Sequence, residues 1–464
     1  MNEDIEQKKF IKMTTEPVRK LIGELAVPTM ISMLVTALYN IADTFFVGKV
    51  GTEATAGVGL ILPIMAIIQA FGFFFGQGSG NYISRSLGAR EIEKSEKMAA
   101  TGAFSSIFFG TLILVFGFMF KDGVLYFLGA KPGLLSDKTI TYAGDYLKFI
   151  LCGAPFMCLS CVLNNQLRFQ GNAVFSMIGL VSGAVINCGL DPLFIFAFGM
   201  EVKGAALATF ISQVISTTIL YIGTIRSDNL KIKIKNFTPS GYYFKNIAIG
   251  GAPSLFRQGL SSLAGLSLNM AAGAAVAAEQ ADASIAAFSI VSKIMLFTLS
   301  ALLGFGQGFQ PVCGFNYGAE KYGRVKEGYV FCIKIAAAVL ILMSALEFIF
   351  AEGIISIFRD DTNVISIGTT ALRCQCCTML LSSVVVMTNM LYQNIGRVYG
   401  AVALAVARQG LFFIPFVLIL PKLLENHIWG VYLAQPFADV CSFILAVILG
   451  IKMYRELGKK EKKL

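Results

Sequence analysis

Two acidic residues lie inside long apolar stretches of this chain, where a charge is costly. Asp43 follows Tyr39 by four residues, and Asp191 follows Asn187 by four. On a helix such pairs share a face, so each acid has a polar neighbour. An ionisable side chain at the centre of a bilayer costs about 2.5–3.5 kcal/mol on insertion scales, which makes both acids candidates for proton or cation binding. The structural alternative is that Asp43 caps its helix and Asp191 breaks its own beside Pro192.

Other polar residues in the apolar stretches differ between the two halves of the chain. The first half adds Ser160 and Asn164, again four apart, and the hydroxyl of Thr209. The second half lacks acids at the positions that correspond to Asp43 and Asp191. It carries Arg257, Gln258, Arg373, Arg408, Gln409 and Asp439. We expect its cations to pair with carbonyl groups or acids, and Asp439 is a candidate for a second proton site.

Two prolines fall near the start of the first apolar stretch of each half, at Pro28 and Pro253. Proline removes a helical hydrogen bond and permits a bend. Both are therefore predicted sites of helix bending. For Pro253 a static bend is an equally good interpretation.

Residue types needed for enzymatic chemistry are scarce. The only histidine is His427, and the cluster Cys374, Cys376 and Cys377 has no other metal-ligand type beside it. Cysteine is also a small apolar residue that buries readily. The glycine-rich segment at 75–78 lacks the Lys-Ser/Thr of a phosphate loop. We expect no enzyme activity, no cofactor, no resident metal and no ATP-driven transport by this chain alone.

The composition is that of a membrane protein. Of 464 residues, 56% are apolar and 14% charged, against about 45–50% and about 25% in soluble domains. A spanning helix needs roughly 20 mostly apolar residues, and no alternation typical of a β-barrel occurs. The apolar stretches lie at 24–48, 57–80, 99–120, 143–165, 173–198, 204–225, 247–275, 283–310, 330–350, 368–393, 399–421 and 429–451. The predicted fold is an all-α polytopic membrane protein with twelve transmembrane helices.

The net charge of +10 reflects topology. With both termini in the cytoplasm, most Lys and Arg residues fall on the cytoplasmic side, Arg85 and Arg168 among them. The outer side carries only Lys49, Lys121, Lys131, Lys138, Lys203, Arg359 and Lys422. This distribution predicts a multi-pass membrane protein that contacts anionic lipid and binds no nucleic acid. No cleavable signal peptide is visible in the first twenty residues.

The sequence repeats itself at an offset of 225–230 residues. Phe75-Gly-Gln-Gly78 recurs as Phe305-Gly-Gln-Gly308, Asn164 matches Asn389, and Gly204 matches Gly430. Six helices per repeat is an even number, so the repeats are parallel. The predicted domains are a terminal segment (1–23), a six-helix bundle (24–225), a basic linker (226–246), a second bundle (247–453) and a basic tail (454–464). Two bundles that rock about a shared site suit alternating access.

These motifs resemble the multidrug and toxic-compound extrusion (MATE) transporters over essentially the whole chain. The likeness rests on Pro28, Tyr39-Asn-x-x-Asp43-Thr-Phe-Phe-Val-Gly48, Gly76-Gln-Gly78, Asn187-x-x-x-Asp191-Pro192 and Gly204-x-x-Leu-Ala-Thr209. The resemblance implies a location in the bacterial inner membrane and export of organic, often cationic, compounds against inward H+ or Na+. In the branch it resembles most, the ion site would fall on Asp43, Asn187, Asp191 and Thr209, with Tyr39 and Asn164 close by. The other bacterial branch has acids in helices 7 and 10 that this chain lacks.

The expected function is therefore cation-coupled antiport of drugs or metabolites by a monomer. Predicted substrate contacts are Met33, Tyr39 and Asn164 in the first bundle, and Gln258 and Met387 in the second. The alternative is a lipid-linked oligosaccharide flippase of the same superfamily, which would use Arg257, Arg373 and Arg408 to bind pyrophosphate. An intramembrane enzyme is a third reading, without a catalytic constellation to support it.

Overall fold

The computed structural model describes residues 3–131, 135–226, 230–277 and 280–463, and side chains from residue 7 onward. Nearly all of these residues are helical. The first half contains α1 (Glu3–Thr15), α2 (Val18–Val50), α3 (Thr52–Gly88), α4 (Ile92–Met119), α5 (Lys121–Phe127), α6 (Asp137–Phe169), α7 (Ala173–Pro192) and α8 (Glu201–Arg226). The second half contains α9 (Gly241–Ala274), α10 (Ala281–Gly318), α11 (Tyr322–Ile349), α12 (Ala351–Phe358), α13 (Thr362–Met379), α14 (Ser382–Asn394), α15 (Val398–Val406), α16 (Ile414–Leu423) and α17 (His427–Glu461).

Each predicted apolar stretch falls on helical segments, which confirms the all-α fold class. In the part of the chain that the structure describes, ten helices are long and apolar enough to cross a bilayer, and α13 with α14 forms an eleventh, bent span. The remaining stretch, 247–275, corresponds to α9. Its 34 residues are ample for a hydrocarbon core of about 30 Å, although Arg257 and Gln258 reduce its apolar character.

The predicted stretch 368–393 is not one uninterrupted helix, because α13 and α14 meet at a bend of 54°. The hydroxyl of Ser383 donates to the carbonyl of Leu380 at 2.7 Å, and the N–H of Leu381 donates to the carbonyl of Thr378 at 2.9 Å. Both bonds span three residues and replace the regular four-residue ladder. Serine side chains that compete for backbone carbonyls are a known cause of such kinks.

The two halves share local geometry at matching positions. The amide of Asn164 donates to the carbonyl of Ser176 at 3.0 Å, and the amide of Asn389 donates to the carbonyl of Ala401 at 2.7 Å. Donors and acceptors are both 225 residues apart. Each bond ties the fourth helix of a bundle to the fifth, so the sequence repeat corresponds to a repeat in structure.

Both ends of the described chain and the linker between the halves lie at one end of the bundles, which we call the linker end. Lys326 of α11 pairs with Glu461 near the end of α17 at 2.5 Å. In the linker, the amide of Asn236 donates to Glu96 of α4 at 3.1 Å. The first helix, α1, packs beside α10 at the same end.

The bundles are in backbone contact at the linker end. A Cβ atom on Gly88 of α3 would clash with the backbone of Phe315 in α10, and one on Gly318 would clash with the backbone of Arg85. Both partners of the first contact are 230 residues from their counterparts in the second. Glycine permits such close helix packing. In this conformation the bundles are therefore closed against each other at the linker end.

The predicted domain limits lie close to helix ends. The first bundle ends with α8 at Arg226, whereas α9 begins at Gly241, inside the predicted linker 226–246. Helix α17 continues to Glu461, inside the predicted tail 454–464. Residues 1–2, 227–229 and 464 of these segments lie outside the described residues.

Candidate functional site

The first bundle encloses a cavity of about 160 Å³ among α2, α3, α6, α7 and α8. Gln307 of α10 contributes to its wall from the second bundle. The wall also includes most of the site residues predicted in the first bundle, namely Met33, Tyr39, Asn164, Asn187 and Thr209. The structure thus brings these side chains together around one space.

Asp191 lies beside this cavity and is fully buried, with 0% of its surface exposed. With the Asn187 amide oriented to satisfy all its contacts, its nitrogen donates to Asp191 at 3.1 Å and its oxygen accepts from the N–H of Thr209 at 3.1 Å. The Oδ1 atom of Asp191 has no hydrogen-bond partner. The carboxylate therefore has an unused acceptor inside the protein.

Asp43 lies one helical turn beyond Tyr39 on α2, and its Oδ1 atom is also buried without a partner. The two carboxylates are close enough to interact electrostatically. Among the ion pairs of the described residues, none involves Asp43 or Asp191. Two acids without a cation form a site that a proton or a small cation would stabilise.

The local backbone explains where Asp191 sits. Pro192 has no N–H to donate to the carbonyl four residues earlier, so the regular α-helical ladder cannot continue. The chain goes on as a π-helical segment, Leu193–Ala197, a feature common at functional sites. The alternative that Asp191 lies at a helix break beside Pro192 therefore also agrees with the observed geometry.

Tyr146 is a neighbour of this site that sequence reasoning missed. It lies on α6, is 1% exposed, and interacts electrostatically with Asp43, Tyr39 and Asp191. Its position was readable from the sequence: at helical spacing it shares a face of α6 with Ser160.

Arg168, which the charge distribution predicts on the cytoplasmic side, lies in the last turn of α6 at the linker end, but its side chain does not reach the surface. Its side chain is 1% exposed and lines the cavity of the first bundle. One guanidinium nitrogen donates to Asn165 at 2.7 Å and to Gln310 of α10 at 3.1 Å. Gln77 joins this network by donating to Asn165 at 3.0 Å. The amides of these side chains hold the cation inside the protein.

A second cavity, of about 190 Å³, lies within the second bundle. In its wall Arg408 donates to Asp439 at 2.8 Å, Gln435 donates to the same carboxylate oxygen at 2.9 Å, and Thr378 donates to the other at 3.4 Å. Arg408 belongs to a π-helical segment, Ala407–Phe413. Asp439 thus has the pairing partner that both acids of the first bundle lack.

The remaining predicted residues lie apart from these two cavities. Gln258 is half-buried on α9 and belongs to neither wall, and Arg373 is exposed and donates to the carbonyl of Phe348 at 3.3 Å. Met387 is 0% exposed and packs near Gly306 in this conformation, and its substrate contact stays a prediction.

The two prolines predicted to bend lie within continuous helices. Pro28 is buried in α2, and Pro253 is buried in α9. Next to Pro28, the hydroxyl of Thr29 donates to the carbonyl of Gly304 in the second bundle at 2.7 Å. The predicted bending of both helices stays a prediction.

Glu347 of α11 is a buried acid that the sequence analysis did not single out. It is 8% exposed, accepts a hydrogen bond from Thr298, and lies 3.8 Å from the thiol of Cys376. The thiol's neighbours Cys374 and Cys377 are free. Within the described residues no group of three or more His, Cys, Asp or Glu side chains is placed to hold a metal ion.

Comparisons with known proteins agree with this architecture. A model of the MatE family matches residues 28–193 and again 253–419, one match in each half. A multidrug export protein, MepA of Staphylococcus haemolyticus, is 29% identical over 434 residues and covers 93% of each chain. The MepA protein of Staphylococcus aureus strain NCTC 8325 is 28% identical over 437 residues, 93% of this chain and 94% of its own.

Solved structures are similar over nearly the full length. One is described as the outward-facing conformation of a multidrug resistance MATE family transporter of the MOP superfamily. It has a TM-score of 0.90 and 27% identity, and it covers 97% of this chain and 98% of that chain. A MOP superfamily transporter from Pyrococcus furiosus has a TM-score of 0.89 with the same identity and coverage. This chain therefore belongs to the MatE family of multi-pass membrane transporters.

Proposed function

We propose that the protein exports organic, cationic or amphipathic drugs or metabolites by alternating access, in exchange for inward H+ or Na+. The export proteins to which it is similar support the substrate class. The coupling ion is assigned to the first bundle, at Asp43 and Asp191 with Asn187, Thr209 and Tyr39 around them. The protein works in the bacterial plasma membrane, with both termini in the cytoplasm, and as a monomer.

The observation that carries this proposal is the pair of carboxylates beside the cavity. Each has a buried oxygen without a partner, and neither has a cation. An unpaired carboxylate inside a membrane protein is costly unless it binds a proton or a cation. Binding an ion at this site therefore changes the charge beside the cavity, and a cationic substrate responds to that change.

The proposed cycle follows from this charge change. With both acids ionised, the cavity attracts an organic cation. When H+ or Na+ binds from outside, α2 bends at Pro28, the attraction is lost and the substrate leaves on the outside. Rocking of the bundles at the Gly88 and Gly318 contacts then releases the ion inward.

The test is uptake of a fluorescent organic cation into everted membrane vesicles, energised by a pH gradient or by Na+. Asp43→Asn and Asp191→Asn should each reduce gradient-driven uptake at least about tenfold, because neither amide can exchange a proton or balance a cation. Asp360→Asn changes an exposed acid between α12 and α13 and should leave uptake unchanged. Full uptake in both site variants would disprove this coupling site, and the gradient that drives the wild type identifies the ion.

The flippase alternative has weaker support in the second bundle. Arg408 is neutralised by Asp439, and Arg373 is exposed and bonded to a carbonyl. Of the three arginines proposed to bind pyrophosphate, only Arg257 has no hydrogen-bond or ion-pair partner among the described residues. If the wild-type protein transports no organic cation under either gradient, the flippase becomes the hypothesis to test.

A further inference from the structure

The cavity of the first bundle has a buried cation at its linker end and two acids near its other end. We propose that Arg168 binds the carboxylate of an amphoteric substrate, one that carries both a cationic group and a carboxylate. This deepens the proposed function, because it uses the same cavity and names the substrate class.

The bonding of Arg168 shows that its charge is not neutralised by the protein. Its guanidinium donates to the neutral amide oxygens of Asn165 and Gln310, and its Nε atom is buried with no partner. No ion pair of the described residues includes Arg168. A carboxylate forms stronger, charge-assisted bonds to a guanidinium than an amide oxygen does, and it can occupy two of its N–H groups at once. A substrate carboxylate would therefore replace the amide contacts and use the free donor.

A second cation reinforces the positive potential. Arg257 on α9 of the other bundle is close enough to Arg168 to repel it electrostatically, and it too lacks an ion-pair partner among the described residues. Two unneutralised cations that repel each other inside a protein are stabilised by an anion between or beside them. Because the two residues belong to different bundles, this potential exists while the bundles are closed at the linker end.

The length of the cavity suits a substrate whose cationic group and carboxylate are well separated. Arg168 and Met157 both line the cavity and lie eleven residues apart on α6, or about 16 Å at 1.5 Å per residue. Helix α7 runs in the opposite direction, so Asn187 and Asp191 lie toward the far end from Arg168. A substrate could thus place its cationic group near the acids and its carboxylate near Arg168.

The test compares two dyes that differ only in the carboxylate: tetramethylrhodamine and its methyl ester. Both carry the same cationic ring system, and only the first has a free carboxylate. Binding to purified full-length protein in lipid nanodiscs is followed by fluorescence anisotropy.

Arg168→Gln should weaken binding of the acid dye about tenfold or more, as expected for loss of a charge-assisted bond. The same variant should change binding of the ester less than about twofold. Arg168→Lys should recover part of the loss, and Arg257→Gln should weaken only the acid dye, by a smaller factor.

Controls separate a binding role from a structural one. Arg359→Gln removes an exposed cation outside the cavity and should affect neither dye. Equal loss of both dyes in Arg168→Gln would mean a structural role and would overturn the proposal, as would equal affinity of the acid dye for wild type and variant. If Arg168→Gln does not give monodisperse protein, the Arg257→Gln comparison decides by the same criterion.

Two further outcomes distinguish this inference from its neighbours. In one outcome, neither dye is bound in preference to the other, and inorganic pyrophosphate binds tightly in a way that requires Arg168. This result would overturn the proposed carboxylate in favour of a phosphate ligand. Vesicles that fail to accumulate the methyl ester under either gradient would contradict the proposed antiport alone, because the anisotropy measurement requires no transport.

Discussion

Arg408 and Asp439 form the most buried of the ion pairs between described residues, with 14% and 3% of their side chains exposed. Gln435 and Thr378 complete the hydrogen bonding of the carboxylate. Removing one partner of a buried pair leaves the other charge uncompensated, whereas removing both charges together is far less damaging. For this pair, a single substitution should therefore lower stability more than the double substitution does. The unpaired acids of the first bundle have no partner that could produce this difference.

Arg408→Gln should lower the free energy of unfolding by about 3–5 kcal/mol, as found when one partner of a buried pair is removed. The double variant Arg408→Gln with Asp439→Asn should recover most of that loss. Thermal unfolding of purified protein, followed by the fluorescence of the single tryptophan, Trp429, measures both. A single variant as stable as the wild type would contradict this stabilising role of the pair.

At the residue scale, sequence reasoning found the acids but not the arginine. Asp43 and Asp191 stand out because any acid in an apolar stretch does, and helical spacing and the family motif supplied Asn187 and Thr209. Arg168 lies four residues after Asn164, near the end of its helix, where an arginine is expected to reach water. Its burial depends on Gln310, which is 142 residues away in sequence, and no local pattern encodes that contact.

Helices α3 and α10 close the linker end through Gly88 and Gly318, which no larger residue can replace without moving a backbone. Both helices extend about eight residues beyond the apolar stretches predicted for them, 57–80 and 283–310. Sequence hydropathy marks only the part of a helix that contacts lipid, so these polar extensions were missed. The kink between α13 and α14 was missed for a related reason: apolar character continues across it while the backbone bonding changes.

Gly88→Ala should separate α3 from α10 and open the linker end. Hydrogen–deuterium exchange should rise in peptides that contain residues 85–90 and 315–320, and gradient-driven export should fall severalfold. Gly59→Ala lies on the same helix, at a position with open space around it, and should change neither. If the two variants behave alike, the close approach at Gly88 does not hold the bundles together.

At the scale of the whole molecule, α1 joins the two bundles across the linker end. Its last carbonyl groups accept from the second bundle: Thr14 from Lys321 at 2.9 Å and Met13 from Asn316 at 3.0 Å. On the other side, Arg90 of the first bundle lies 4.2 Å from the ring centre of Phe10. Cations near the last turn of a helix are favourable because its carbonyl groups carry partial negative charge.

Deleting residues 1–15 should therefore favour separation of the bundles. We expect faster hydrogen exchange at residues 316–324 and a lower unfolding temperature, with the dye affinities of the cavity changed by less than about twofold. Lys321→Met should reproduce part of the exchange effect, and Lys452→Met, which alters an exposed lysine on α17, should not. Unchanged exchange in the truncated protein would show that α1 does not connect the bundles in function.

The contrast between the two cavities has a consequence for the division of labour between the halves. A carboxylate paired with Arg408 carries its counter-ion as a covalent part of the same chain, so it cannot exchange that ion between the two sides of a membrane. The acids of the first bundle, which have no such tethered partner, must take theirs from solution. Under the proposed function, two halves descended from one repeat would thus differ: the acid of the second bundle is paired within the chain, and the acids of the first bundle exchange ions between the two sides of the membrane.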